Sequence, residues 1–375
     1  MDIRLTRGCI AQATLVPSSR QLDAVAAELL RATDLRRAGT SEHAIAAAVR
    51  SSSLVRLRQG WYVRGGFWET ATVETQHVAA LLAAHGSAVR PPVFSHGSAA
   101  VLHGFPALSR WLRDAGRRQT PAGPDASSRV VAVTVPRTRP ASPSATIVRH
   151  RADLAANDVE TFEGFRRTTA ERTLADLARA WPFTVALASA DAHLREIARV
   201  GRLIDDATVR DWRDGMLRRA ASLRGRPGSH AVEAVAVLAD PRADSPLESL
   251  SRLRFAELGV DVDLQVAVRS AGRAPAYLDF QLTGSQFWGE ADGKQKYSDA
   301  ALRHDKTPAE VVLAEKRRAD WISGTTGLRP IRWGSAEAFS RERFGAHLAA
   351  HGVQVPGRPS KRWGPRVAEF LRGLP

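Results

Sequence analysis

Residues Pro275–Lys294 read PAYLDFQLTGSQFWGEADGK. Two apolar, strand-like runs, PAYLDFQLT and SQFWGEAD, are each interrupted by acid: Asp279 in the first, Glu290 and Asp292 in the second. Side chains alternate along a strand, so Glu290, Asp292 and Lys294 fall on one face. If the two runs form a hairpin, Asp279 lies beside Glu290. Carboxylates brought that close on buried strands repel each other unless a cation neutralises them. Mg²⁺, a hard ion that prefers oxygen ligands, fits that need. It would activate water and stabilise charge on a scissile phosphate, with Lys294 orienting the water or steadying the developing charge. The candidate catalytic set is therefore Asp279, Glu290, Asp292 and Lys294. The candidate metal ligands are Asp279 and Glu290, with Glu248 as an outer ligand from the preceding helix. The competing reading makes the same residues solvent-facing acids on an exposed hairpin, with Lys294 as a surface partner.

Working outward, SPLESLSRLRFAELG (Ser245–Gly259) is a helix with Ser245 as cap, Pro246 in the first turn and Gly259 as stop. VDLQVAV (Val262–Val268) is a further strand, TPAEVVLAEKRRADWIS (Thr307–Ser323) a long helix and LRPIRWG (Leu328–Gly334) a strand. The order is helix, three strands, helix, strand. On this order and on SPLES, YLDF, GEADGKQKY, AEKRRADW and LRPIRW, the span from about Asp244 to Phe339 resembles the PD-(D/E)XK nuclease core, in its very-short-patch-repair-endonuclease-like branch. By that resemblance Glu248, Asp279, Glu290 and Asp292 match the family's acidic positions, and Lys294 is nearest to its lysine. Leu278 stands where the name-giving motif has proline, and Asp292 where it has lysine.

At the other end, LDAVAAELLRA has helical periodicity, with Leu22, Val25, Ala26, Leu29 and Leu30 on one face. A short helix around Asp34–Ala38 follows, then a Gly39-Thr40 turn, then SEHAIAAAVRS capped by Ser41. In LVRLRQGWYV, Gln59-Gly60 is a hairpin turn signal. Helix, helix, turn, helix and hairpin is the order of a winged helix-turn-helix. The helix TSEHAIAAAVRS and hairpin LVRLRQGWYV, with FSHGSAAVLHGFP and RRTTAERTLADLAR further on, resemble AbiEi-type antitoxins of type IV toxin–antitoxin systems over about Gln21–Arg195. The resemblance implies DNA binding and autoregulation. Ser41, His43, Arg50, Arg56 and Arg58 are the polar residues expected against DNA, the helix at base edges and the wing at phosphates. The alternative is a winged helix used for protein contacts.

The middle of the chain carries weaker candidates. Ser95 is expected as a helix cap rather than a nucleophile for His96 or His103. His150 and Arg151 are expected at the surface, and Arg172 and Asp176, four apart, as an intrahelical ion pair. The Pro- and Gly-bearing stretches at Thr120–Arg129 and Ala239–Pro246 are expected as exposed linkers.

The formal net charge of +15 favours a polyanionic partner, nucleic acid above all. Its competing account is a diffuse charge set by base composition. Cys9 is the sole cysteine, which excludes an intrachain disulfide and a cysteine zinc cluster and agrees with a cytoplasmic location. No stretch of membrane-spanning length lacks charges, and no signal peptide is evident.

The expected architecture is α+β and multidomain: a winged helix-turn-helix over 1–67, a mixed α/β middle domain over 68–238, a restriction-endonuclease-like αβββαβ core over 239–345 and a basic tail over 346–375. The expected function is DNA binding of a toxin–antitoxin or defence type, with a Mg²⁺-dependent DNA endonuclease as the enzymatic form. The alternative is a non-catalytic, antitoxin-like autoregulator whose partners are DNA and a nucleotidyltransferase-type toxin.

Overall fold

The computed structural model describes residues 16–115, 128–139, 144–292 and 308–375. The chain is mixed α/β with several sheets. The described residues divide into two compact units, one of 16–110, 128–139 and 144–181, the other of 111–115, 182–292 and 308–375. Lys294 and most of the expected Thr120–Arg129 linker lie outside the described residues.

The first unit opens with α1 (Ser19–Ala27), β1 (Leu29–Arg31), α2 (Ala32–Arg37), α3 (Glu42–Arg50), β2 (Leu54–Arg58) and β3 (Trp61–Arg64). Ser18 caps α1 through a reciprocal box with Gln21, and Ser41 caps α3 by accepting from the Ala44 amide. Gly60, at φ +75°, makes the turn between β2 and β3. The helix expected through Leu30 instead ends at Ala27. Leu29 and Leu30 pair with Val63 and Tyr62, giving a three-stranded sheet in the order β1-β3-β2. The two leucines suit either period; the β3 backbone, which pairs with their amides and carbonyls, decides for the strand.

Next come α4 (Gly65–Thr70), α5 (Val73–Gly86), β4 (Val93–Phe94), α6 (His96–Leu102) and α7 (Arg110–Asp114), the last of which belongs to the second unit from Trp111 on. They are followed by β5 (Val131–Val135), β6 (Ile147–Arg151), β7 (Val159–Phe162), β8 (Phe165–Thr168) and α8 (Ala170–Ala180). The five strands form a mixed sheet in the order β6-β5-β4-β8-β7. One core of Leu22, Leu57, Val63, Leu81, Phe94, Leu102, Val133 and Phe165 joins this sheet to the N-terminal elements. The expected Arg172–Asp176 ion pair is present, and Arg172 also reaches Asp158 at 3.0 Å. Ser95 stands at the start of α6 but its hydroxyl meets the His96 ring at 3.0 Å and makes no cap bond. His150 is half-buried and stacks on His96 with ring centroids 3.5 Å apart, rather than lying at the surface.

The second unit carries α9 (Phe183–Ala198), the hairpin β9 (Arg199–Val200) and β10 (Leu203–Ile204), α10 (Asp206–Ser222) and α11 (Ser229–Leu238). It continues with α12 (Pro246–Leu258), β11 (Val262–Ser270), β12 (Arg273–Leu282), β13 (Phe287–Ala291), α13 (Pro308–Thr326), β14 (Arg329–Trp333), α14 (Arg341–Ala350) and α15 (Pro365–Arg372). Ser245 caps α12, Pro246 opens it and Gly259, at φ +75°, ends it. The sheet order is β11-β12-β13-β14, antiparallel except for the parallel pair β13–β14.

Helices cover both faces of this sheet. On one, Phe255 of α12 meets Phe280, Trp333 and Phe344. On the other, Ala319 and Ile322 of α13 pack with Val268, Leu278 and Trp288. Gly289 has no Cβ because one would overlap the Trp333 ring. The stretch from Ala239 to Pro246 is not an exposed linker. Ala239, Pro241 and Ala243 are buried, and Asp240 and Asp244 are held by Arg242, Arg199 and Arg202. The segment after residue 345 is packed into the same unit, with Leu348 and Leu371 wholly buried and Phe370 against Phe183.

Candidate functional site

A polar row crosses the four-stranded sheet. Pairs Leu264–Phe280 and Val266–Leu278 place Gln265 opposite Asp279. Pairs Phe280–Gly289 and Gln281–Trp288 continue to set Asp279 opposite Glu290, and Glu290 pairs directly with Arg332. The period-two expectation that Asp279 lies beside Glu290 thus agrees with the register.

The sheet is distorted along this row. Gln265 has φ +53°, a left-handed conformation unusual for a residue with a side chain. Leu278 belongs to the α13-side core while Phe280, two residues on, meets α12. Strand β12 therefore turns at Asp279. There the Asp279 carboxylate accepts a hydrogen bond from the Ala291 amide at 3.0 Å, so a side chain takes the β13 amide just where the β12–β13 pairing stops.

Glu248 is almost wholly buried in the first turn of α12. Its carboxylate accepts from the Asp244 amide at 2.9 Å, the Ser245 hydroxyl at 3.0 Å and the Gln265 side-chain amide at 3.1 Å. Burial, and then the nearby Asp279 charge, push its pKa up to about 8. Arg202 donates to both Gln265 (2.6 Å) and Asp244 (3.1 Å) and lies over the Tyr277 ring. Glu290 is held differently: Arg318 of α13 meets one carboxylate oxygen at 2.6 Å and Arg332 the other at 3.0 Å.

The carboxylates as they stand do not fit a divalent cation. Glu290 and Glu248 spend both carboxylate oxygens on protein donors and Asp279 spends one, and two guanidinium groups already neutralise Glu290. Among the described residues, no group of three or more His, Cys, Asp or Glu gathers to hold a metal ion. Asp292 follows β13, its amide bonded to the Trp333 carbonyl at 2.8 Å. Sequence reading missed Gln265, Arg202, Arg318 and Arg332, because only the register and the placement of α13 bring them to the acids.

The second candidate surface lies on α3, β2 and β3. Ser41, His43, Arg50 and Arg56 are exposed and Arg58 is half-buried. Ser41 spends its hydroxyl on the cap. Between Ser19 and Arg64 there are eight arginines and four acids. Three of those acids are taken internally, by Arg64–Glu28, Arg37–Asp34 and Arg36–Glu42. Among the described residues Arg50, Arg56 and Arg58 make no ion pair, so this face keeps uncompensated positive charge. Burial, together with the Arg149 charge on β6, lowers the pKa of Arg58. Like charges held together in this way favour an anion from outside.

Among the described residues, no helix is long and apolar enough to cross a membrane. The chain matches no protein-family model and no curated protein.

Proposed function

We propose that the chain is a DNA-binding protein that docks through α3 and the β2–β3 hairpin, in the manner of a winged helix-turn-helix. The observation that carries this reading is the set Arg50, Arg56 and Arg58, which make no ion pair among the described residues while Arg36, Arg37 and Arg64 take three of the module's four acids. In this arrangement α3 presents His43 to base edges, and Arg50 in its last turn joins Arg56 and Arg58 of the β-hairpin at phosphates. The resemblance to AbiEi-type antitoxins supports a regulatory or defence role, with a nucleotidyltransferase-type toxin as the protein partner in that role. Arg50→Ala and Arg56→Ala should each weaken binding to duplex DNA about three- to tenfold, nearly equally for all sequences, as loss of a phosphate contact does. Fluorescence anisotropy with several unrelated duplexes checks this; a loss confined to one sequence, or none, contradicts it.

A second reading, Mg²⁺-dependent DNA cleavage, is supported by the register that sets Asp279 against Glu290 beside the buried Glu248. It requires Glu290 to leave its two arginines. Mg²⁺-dependent nicking of plasmid DNA that disappears in Asp279→Asn supports it. An uncut plasmid leaves the non-catalytic regulator as the function.

A further inference from the structure

Glu290 lies between two guanidinium groups that serve it unequally. Arg318 is anchored: besides Glu290 it donates to the Tyr277 carbonyl at 2.6 Å and is 33% exposed. Arg332 is looser. It reaches Glu290 through Nε alone, its two terminal nitrogens donate to nothing among the described residues, and its side chain is 44% exposed. Two cations on one carboxylate leave one positive charge that Glu290 does not offset. The surroundings add to it, since residues 315–333 hold five Lys and Arg against two acids, with Lys316 and Arg317 exposed. A carboxylate bridging two arginines offers them a pair of anionic acceptor oxygens, as a phosphate does.

We propose that Arg332 and Arg318 form a binding site for a DNA phosphate, and that the Glu290 carboxylate is its internal occupant, displaced when DNA arrives. The site rests on the reading of the chain as a DNA-binding protein but uses a surface of the second unit, separate from α3. It also accounts for the misfit of a cation at this row: Glu290 is engaged as a stand-in anion until phosphate takes its arginines. No covalent step is involved; one charge-assisted hydrogen-bond set is exchanged for another.

The sign of one substitution separates this from a structural ion pair. Glu290→Gln removes the competing charge while keeping shape, so the full-length protein should bind duplex DNA about tenfold more tightly, the effect of one charge-assisted hydrogen bond gained. Arg332→Gln should weaken binding by a similar factor and flatten its salt dependence. A merely structural pair predicts unchanged or weaker binding for Glu290→Gln. Both changes are also read in an Arg50→Ala/Arg56→Ala background. If docking through α3 is wrong, that background binds like wild type and the Glu290 and Arg332 effects still appear. If the phosphate site is wrong, Glu290→Gln fails to tighten binding in either background, and the proposal is overturned. Wild-type protein that does not bind DNA overturns both. Should Glu290→Gln fail to fold, Glu290→Ala, which also removes the competing charge, reads the same sign.

Discussion

Arg254→Met should lower folding stability by about 3–5 kcal/mol, the cost of leaving a buried charge without its partner. Arg254 is 1% exposed, among the most deeply buried side chains of the protein. Its guanidinium donates to Glu257 at 2.8 Å and to the backbone carbonyls of Ala115, Ala338 and Phe339 at 2.7–3.1 Å. Methionine keeps the stem's volume, so packing changes little. What is lost is every donor at once, and Glu257, itself 1% exposed, remains. Burial already pushes the Glu257 carboxyl up and Arg254 pulls it back; losing Arg254 removes that opposing pull. Arg254→Met/Glu257→Gln should recover only part of the loss, because the three carbonyls still lack donors. Urea unfolding of the two variants beside wild type measures both quantities. A loss under 1 kcal/mol for Arg254→Met contradicts the arrangement.

The second large effect depends on pH. Glu248 holds its proton to about pH 8 in the folded chain, against 4.5 for a free glutamate. Between those values the folded state binds a proton that the unfolded state has lost. Stability from this group is therefore complete below pH 4.5, falls as pH rises and is gone above pH 8. Each unit of separation corresponds to about 1.4 kcal/mol, so the total is on the order of 3–5 kcal/mol. Glu248→Gln removes the titration while keeping an oxygen for the Asp244 amide. The stability of Glu248→Gln relative to wild type should rise steadily from pH 5 to pH 8. A pH-independent difference between the two proteins shows that Glu248 is ionised in the fold.

Much of this architecture is legible in particular residues. Ser41, Ser245, Pro246, Gly60 and Gly259 act through local backbone chemistry, so the helices and hairpin they punctuate are readable. The helix, three strands, helix and strand of the second unit follow from apolar periodicity. The strand at Leu29–Arg31 was hidden, because two adjacent leucines satisfy a helix and a strand equally. The stretch Ala239–Pro246 misleads for a different reason: its Asp, Pro and Arg resemble a linker, but partners distant in sequence bury it. Asp191, on α9, accepts from the Asp240 amide at 2.8 Å, and Arg199 holds Asp244 at 2.6 Å.

The candidate site divides in the same way. Asp279 opposite Glu290 follows from strand periodicity and a hairpin. Arg332 beside Glu290 needs the parallel pairing of β13 with β14, Arg318 needs the placement of α13, and Gln265 needs a backbone kink that no local residue signals. A row of acids read without these partners calls for a metal; read with them, it is already neutralised at Glu290.

DNA binding through α3 and the hairpin shows itself in the salt dependence of affinity. For wild type, the logarithm of the association constant should fall steeply and linearly with the logarithm of salt concentration as counterions are released. For Arg50→Ala/Arg56→Ala the slope should be shallower by about two, one for each phosphate contact removed. Equal slopes for the two proteins, or an affinity that does not change between low and physiological salt, contradict binding through α3 and the hairpin.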